Sequence, residues 1–169
     1  MKYFSGFCFK GESKLFEDWL EVCDFCVAGF GMGAIDAFEY ALQSETRIDK
    51  LQLFSPVFFQ NRSEIFKKNQ IERFLKNPDN YCSDFINRAQ YPYHDDLSIY
   101  RKHSTKEVLK KALYYVWDQE QIKRLCERNT AIEVYLGGLD QILDTTAALE
   151  FFTPFADVYF MKNAGHLLR

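Results

Sequence analysis

Apolar positions in this chain fall into short, β-rich runs separated by stretches with helical spacing. Residues 2–7, 25–30, 51–59, 132–136 and 158–161 read as five strands, each a compact apolar run bounded by glycine, proline or polar residues. Between the first two, residues 13–23 put Leu15, Phe16, Trp19 and Leu20 on one helical face. Residues 34–43, rich in alanine and aromatics, predict a second helix, and residues 145–152 a helix joining the last two strands. Strand and helix alternating in this way predict an α/β fold with a mostly parallel sheet of about five strands.

The rhythm breaks between residues 60 and 128. Helical segments are expected there at 63–75, 81–88 and 105–128, with turns at Asn77-Pro78-Asp79 and Tyr91-Pro92 and no strand pattern. A helical insertion after the third strand of such a sheet is usually a lid over the carboxyl ends of the strands, where ligands bind. The expected division is therefore a core of residues 1–59 and 129–169 with a helical cap at 60–128. One question stays open. Parallel strands in simple sequence order, joined by right-handed crossovers, put every helix on one face. Either the order reverses or the cap covers the other face.

Composition narrows the function classes. A chain of 169 residues suits one domain with an inserted cap, and 47% apolar residues, with 17 Phe and 10 Tyr, argue against disorder. The apolar runs are shorter than a bilayer span, and the opening residues lack the apolar stretch of a secretion signal. Five scattered cysteines fit a reducing compartment with thiols packed as small apolar groups, so a cytoplasmic, membrane-free protein is expected. The Cys23-x-x-Cys26 spacing belongs to that packing, because it straddles a helix end and a strand start instead of a helix N-terminus. A net charge of −3 predicts no generic affinity for nucleic acid. No His/Cys/Asp cluster has zinc spacing, and no metal or cofactor is expected. His94 and His103, in the polar middle of the insertion, read as solvated.

The chemistry sits at the strand ends. Gly29-Phe30-Gly31-Met32-Gly33 lies at a strand-to-helix junction and, apart from its centre, is the G-x-S-x-G nucleophile elbow. A dinucleotide-binding turn would need its third glycine elsewhere. In an elbow the central residue occupies a strained turn above the sheet, and its partners follow in the order acid, then histidine. Asp140 follows the strand at 132–136 after Gly137-Gly138-Leu139, and His166 follows the last strand after Ala164-Gly165. Asp144 is the competing acid and reads as a helix cap. Three strand-end sites in the required order are more specific than any one alone.

At these residues the chain resembles the α/β hydrolases, and among them the short pimeloyl-acyl-carrier-protein methyl ester esterases of the BioV type. The resemblance runs through Tyr3-Phe4-Ser5-Gly6-Phe7, Gly29-Phe30-x-Met32-Gly33-Ala34, Leu53-Phe54-Ser55-Pro56, Glu133-Val134-x-x-Gly137, Leu149-Glu150-Phe151-Phe152 and His166-Leu167-Leu168. It implies a carboxylic ester hydrolase of biotin precursor synthesis, with Asp140 as orienting acid and His166 as base. The oxyanion donors would be the N–H groups of Phe7 and Met32, and the partner an acyl carrier protein.

The family pattern has serine at position 31. Glycine suits the backbone of an elbow but carries no nucleophile, so the chain as written is expected to be nearly inert. The replacement is deliberate or natural, or the site works through another residue or a bound water. Ser5, Cys8 and Ser55 are near in the motif map, and none occupies an elbow. Alternatives to the methyl esterase are a non-catalytic acyl- or carrier-binding protein and a thioesterase or general carboxylesterase. The aromatics Phe66, Phe74, Tyr81, Phe85, Tyr114, Tyr115 and Trp117 either pack the cap or line an acyl tunnel. The middle of the chain is its basic part: Arg62, Lys67, Lys68 and Arg73 lie on one segment, and Lys106, Lys110 and Lys111 on another. These form a solvated face or a docking face for an acidic carrier protein. A monomer is expected.

Overall fold

A computed structural model describes residues 1–169. Its five strands are β1 (Lys2–Phe4), β2 (Cys26–Phe30), β3 (Lys50–Phe54), β4 (Ala131–Gly137) and β5 (Asp157–Met161). They form one sheet in the order β1-β2-β3-β4-β5, and every neighbouring pair is parallel. Six α-helices accompany them: α1 (Met32–Gln43), α2 (Glu64–Lys76), α3 (Pro78–Ala89), α4 (Lys106–Tyr114), α5 (Gln119–Glu127) and α6 (Thr145–Phe152). The predicted fold class is the one observed. No helix is long and apolar enough to cross a membrane.

Strictly sequential order leaves the predicted problem of the second face, and the molecule solves it by neither expected route. Helix α1 packs on β1, β2 and β3, and α6 on β4 and β5. The opposite face is covered by residues 12–21. Phe16 stacks on Phe54 with ring centroids 4.8 Å apart and meets Phe30 at 4.9 Å, while Trp19 lies against Tyr135. That segment is not the helix expected at 13–23. It makes one short 3₁₀ turn at Glu12–Phe16 and then runs on without helix. The cause is Gln52 of β3, whose amide donates to Trp19 O at 2.9 Å and accepts from Glu21 N at 2.8 Å. Those backbone groups thus find their partners on the sheet instead of along a helix.

Between β3 and β4 the chain forms four α-helices, a 3₁₀ turn at Ser98–Tyr100 and no strand. Ser63 caps α2 by accepting from Phe66 N, and Asn77 caps α3 by accepting from Asn80 N, with Pro78 as the first helical residue. The single helix expected over 105–128 is two. Trp117 turns inward at the break, donates its indole N–H to Val57 O at 2.8 Å and is buried, and Asp118 then caps α5. Phe74, Leu109, Leu113 and Trp117 of this region belong to the same buried cluster as Leu53 and Val134 of the sheet. One continuous core therefore joins helices and sheet.

The cysteine reading needs correction. Cys8 is disulfide-bonded to Cys82, and Cys23 to Cys26, leaving Cys126 as the free thiol. The first pair joins residues 74 positions apart in sequence, which spacing does not reveal.

Candidate active site

Strand β2 ends at Phe30, and α1 begins at Met32, so Gly31 alone makes the turn between them. Its backbone has φ 56° and ψ −115°, in the region that side-chain-bearing residues enter only with strain. The turn is held from both sides: Gly31 N donates to Phe54 O at 2.9 Å, and Gly31 O accepts from Val57 N at 3.2 Å. Gly29 and Gly33 are there for space. A Cβ on Gly29 would lie 2.1 Å from Gly33 O, and one on Gly33 would lie 2.1 Å from Phe4 O. The backbone of an elbow is present without the side chain it normally lifts.

His166 and Asp140 meet beside that turn. His166 Nδ1 lies 2.6 Å from Asp140 Oδ2, and both side chains are fully buried. The second oxygen of Asp140 accepts from Ile142 N at 2.6 Å and Leu143 N at 3.1 Å, which fixes the carboxylate. With Nδ1–H directed at Asp140, Nε2 carries the lone pair. It is buried, has no hydrogen-bond partner, and lies 3.5 Å from where a Cβ on Gly31 would stand. Apart from Gly31 and its two chain neighbours, no other residue approaches that Cβ position within 4 Å. The imidazole is held between Phe30 and Phe85, at centroid distances of 4.9 and 6.1 Å.

The remaining residues sort clearly. Asp144 caps α6 through Ala147 N and accepts from Asn61 Nδ2, away from His166. Ser55, buried with φ 42°, donates its hydroxyl to His166 O at 2.7 Å, so it braces the histidine loop. Cys8 is tied up in its disulfide. His94 is exposed, as is His103, whose Nδ1 lies 3.2 Å from Asp79.

Facing the elbow is the loop after β1. The Phe7 N–H donates to no group in the protein. Met32 is the first residue of α1, where an N–H has no acceptor within its helix. The loop's shape depends on Glu12, which sequence reasoning missed. Glu12 is fully buried, and its Oε1 accepts from Gly6 N at 2.8 Å and from Tyr3 OH at 3.3 Å. Burial first, then the neighbouring carboxylate, push the Tyr3 phenol far above its ordinary value. Flanked by Gly11 and Ser13, Glu12 looks like surface in the sequence, and no local signal marks it.

Behind Phe85, which meets the histidine ring, lies a cavity of about 40 Å³, walled by Phe7, Phe59, Phe66, Tyr81, Phe85 and Leu113 among others. Of the aromatics singled out in the sequence, Phe66, Tyr81 and Phe85 reach it, while Phe74 packs behind on Phe7 and Tyr81. Trp117 is core, and Tyr114 and Tyr115 lie outside the cavity. Two members of the expected basic face depart from it. Lys67 is buried beneath Tyr114, and Lys111 is bound to Asp36 and Glu39 of α1. Arg62, Lys68, Arg73, Lys106 and Lys110 are exposed on α2, α4 and the turn before α2.

No protein-family model matches the chain, and no curated protein matches it. Solved structures do. An esterase from Exiguobacterium antarcticum matches with TM-score 0.62 and 18% identity, over 82% of this chain and 58% of that one. A hydrolase from Oleispira antarctica matches with TM-score 0.65 and 13% identity, over 84% and 58%. BioG from Haemophilus influenzae matches with TM-score 0.59 and 12% identity, over 98% of this chain and 87% of that one. The chain thus spans little more than half the length of the first two but most of the third. The sheet order, the glycine turn and these likenesses together give the fold of the α/β hydrolases.

Proposed function

We propose that this chain is a carboxylic ester hydrolase of the pimeloyl-acyl-carrier-protein methyl ester type, disabled at position 31. The observation that carries the reading is the buried, unpartnered Nε2 of His166, 3.5 Å from the Cβ position of Gly31 and backed by Asp140. An unsatisfied buried acceptor costs stability, so its persistence suits a proton acceptor whose donor is missing. A serine hydroxyl at position 31 would fall within hydrogen-bond reach of it. His166 would then take the serine proton, with Asp140 holding the imidazole in the tautomer that accepts it. The N–H groups of Phe7 and Met32 would receive the oxyanion of the tetrahedral intermediate. Methanol would leave first, protonated by His166, and water activated by the same nitrogen would release the free carboxylate. Nearly full-length likeness to BioG, together with the sequence resemblance, supports the choice of ester class.

The helices at 60–128 serve as a cap in this reading, and the exposed Arg62, Lys68, Arg73, Lys106 and Lys110 form the docking face for the carrier protein. The protein acts as a monomer in this reading, and its two disulfides remove the thiol argument for a reducing compartment on which the cytoplasmic expectation rested. A second reading, a non-catalytic binder of acyl chains, is favoured by Gly31 itself. The test is ester hydrolysis, on a short nitrophenyl ester and on methyl-pimeloyl carrier protein, by the chain as it stands and by Gly31→Ser and Gly31→Ala. Turnover only in the serine form supports the disabled enzyme. A folded but inert serine form rejects it in favour of the binder.

A further inference from the structure

At the amino ends of the strands, opposite the elbow, the chain gathers a second set of reactive side chains. Cys26 opens β2 beside its register partner Lys50, the first residue of β3. Cys23 lies one turn earlier, and Cys26 N closes that turn by donating to Cys23 O at 3.3 Å. Glu21 is the third member, at the end of the segment that covers the sheet, where its N–H is held by Gln52 Oε1 at 2.8 Å. One carboxylate oxygen of Glu21 and the sulfurs of Cys23 and Cys26 all lie within 4.8 Å of one another. Cys26 is buried, Cys23 half-buried and Glu21 exposed, so the set opens to solvent on one side. Two cysteines alone do not make a metal set, which is why the sequence reads the pair as packing; Glu21 completes it. Charge points the same way. Lys50 binds both Glu21 and Glu133, so with the disulfide closed this corner carries one excess negative charge. Two thiolates in place of the disulfide add two more, and a divalent cation cancels them.

We infer that, once the Cys23–Cys26 disulfide is reduced, Glu21, Cys23 and Cys26 bind one thiophilic divalent cation of the zinc class, with water as the fourth ligand. A thiol reductant opens the bond by exchange: two reductant thiols leave as one disulfide, and each cysteine becomes a thiol. The cation displaces those two thiol protons as it binds. Tetrahedral zinc, with bonds of about 2.0–2.3 Å, holds its donors slightly less than about 4 Å apart. Rotation of the freed cysteine side chains and of the exposed Glu21 reaches that spacing. Magnesium and calcium, which take oxygen ligands, do not suit two sulfurs. The ion ties the end of the 12–21 segment to β2. It lies at the far end of the strands from Gly31, so it takes no part in the ester chemistry and stands separately from that reading.

Anaerobic titration of the full chain with Co²⁺, after reduction by a phosphine, tests the inference. The reduced protein should take up one cobalt ion per chain with a thiolate-to-cobalt charge-transfer band, and zinc should displace it. Cys23→Ser with Cys26→Ser should abolish the band, and Glu21→Gln should weaken binding about tenfold or more. Cys126→Ala should leave it unchanged, which separates the site from the exposed free thiol. Thermal melts tie the binding to the folded chain: zinc should raise the melting temperature of the reduced protein and not that of the double-serine variant. No charge-transfer band in the reduced, unaltered protein would overturn the inference, as would a band that survives the double-serine change. A melting temperature indifferent to zinc, or cobalt affinity unchanged in Glu21→Gln, would overturn it as well.

Discussion

At the scale of single residues, the site is defined by what surrounds a missing side chain. Gly31 carries the unusual backbone of an elbow, His166 presents a lone pair to it, and Asp140 is fixed by two backbone N–H groups. Restoring serine should therefore cost stability while it restores chemistry, because the φ of 56° disfavours any side chain. Glu12 has a parallel role on the other side of the site. Glu12→Ala should remove the acceptor from a backbone N–H and a phenol at once, destabilising the fold by about 1–3 kcal/mol. In the Gly31→Ser background it should lower kcat more than it raises KM, because it positions the loop that carries the Phe7 N–H. Chemical denaturation and steady-state kinetics check the two parts, and an unchanged kcat would remove Glu12 from the positioning role. The Asp140–Gly31–His166 set was legible in the sequence because each position follows a strand in a fixed order. Glu12 and Ser55 were not, because their partners lie on segments brought close only by folding.

At the scale of elements, the strands and the helices α1, α2 and α6 follow from local pattern and caps. Prediction failed where a distant side chain decides the backbone. Gln52 draws the carbonyl of Trp19 and the N–H of Glu21 onto the sheet, and Trp117 breaks the long helix by reaching Val57 O. Neither influence is visible in a window of helical length. The same holds for Cys8 and Cys82, which tie the loop bearing the Phe7 N–H to α3. Closing a loop that long restricts the unfolded chain, so reduction should lower unfolding free energy by about 2–4 kcal/mol. Cys8→Ala with Cys82→Ala should reproduce most of that loss, while the Cys23–Cys26 pair, three residues apart, should contribute little. Equilibrium unfolding with and without reductant measures it. A reduced protein as stable as the oxidised one would show that the tie is dispensable.

At the scale of the whole molecule, five sequential parallel strands leave one sheet face without helices, and residues 12–21 take that place. This is how a chain that spans little more than half of the larger esterase and hydrolase it matches encloses its sheet. The carrier-docking proposal also belongs at this scale, since it depends on separated basic residues acting together. Association with an acidic carrier protein should slow several-fold as salt rises from about 0.05 to about 0.5 M, because screening shortens the reach of exposed charges. An association rate indifferent to salt would remove the docking face. The central claim is that this is an ester hydrolase lacking only its nucleophile, and the most direct measurement is hydrolysis of methyl-pimeloyl carrier protein by Gly31→Ser beside the unaltered chain and Gly31→Ala. The account predicts turnover in the serine form alone, abolished again by His166→Ala. A folded serine form without turnover, or equal turnover in all three, would contradict it.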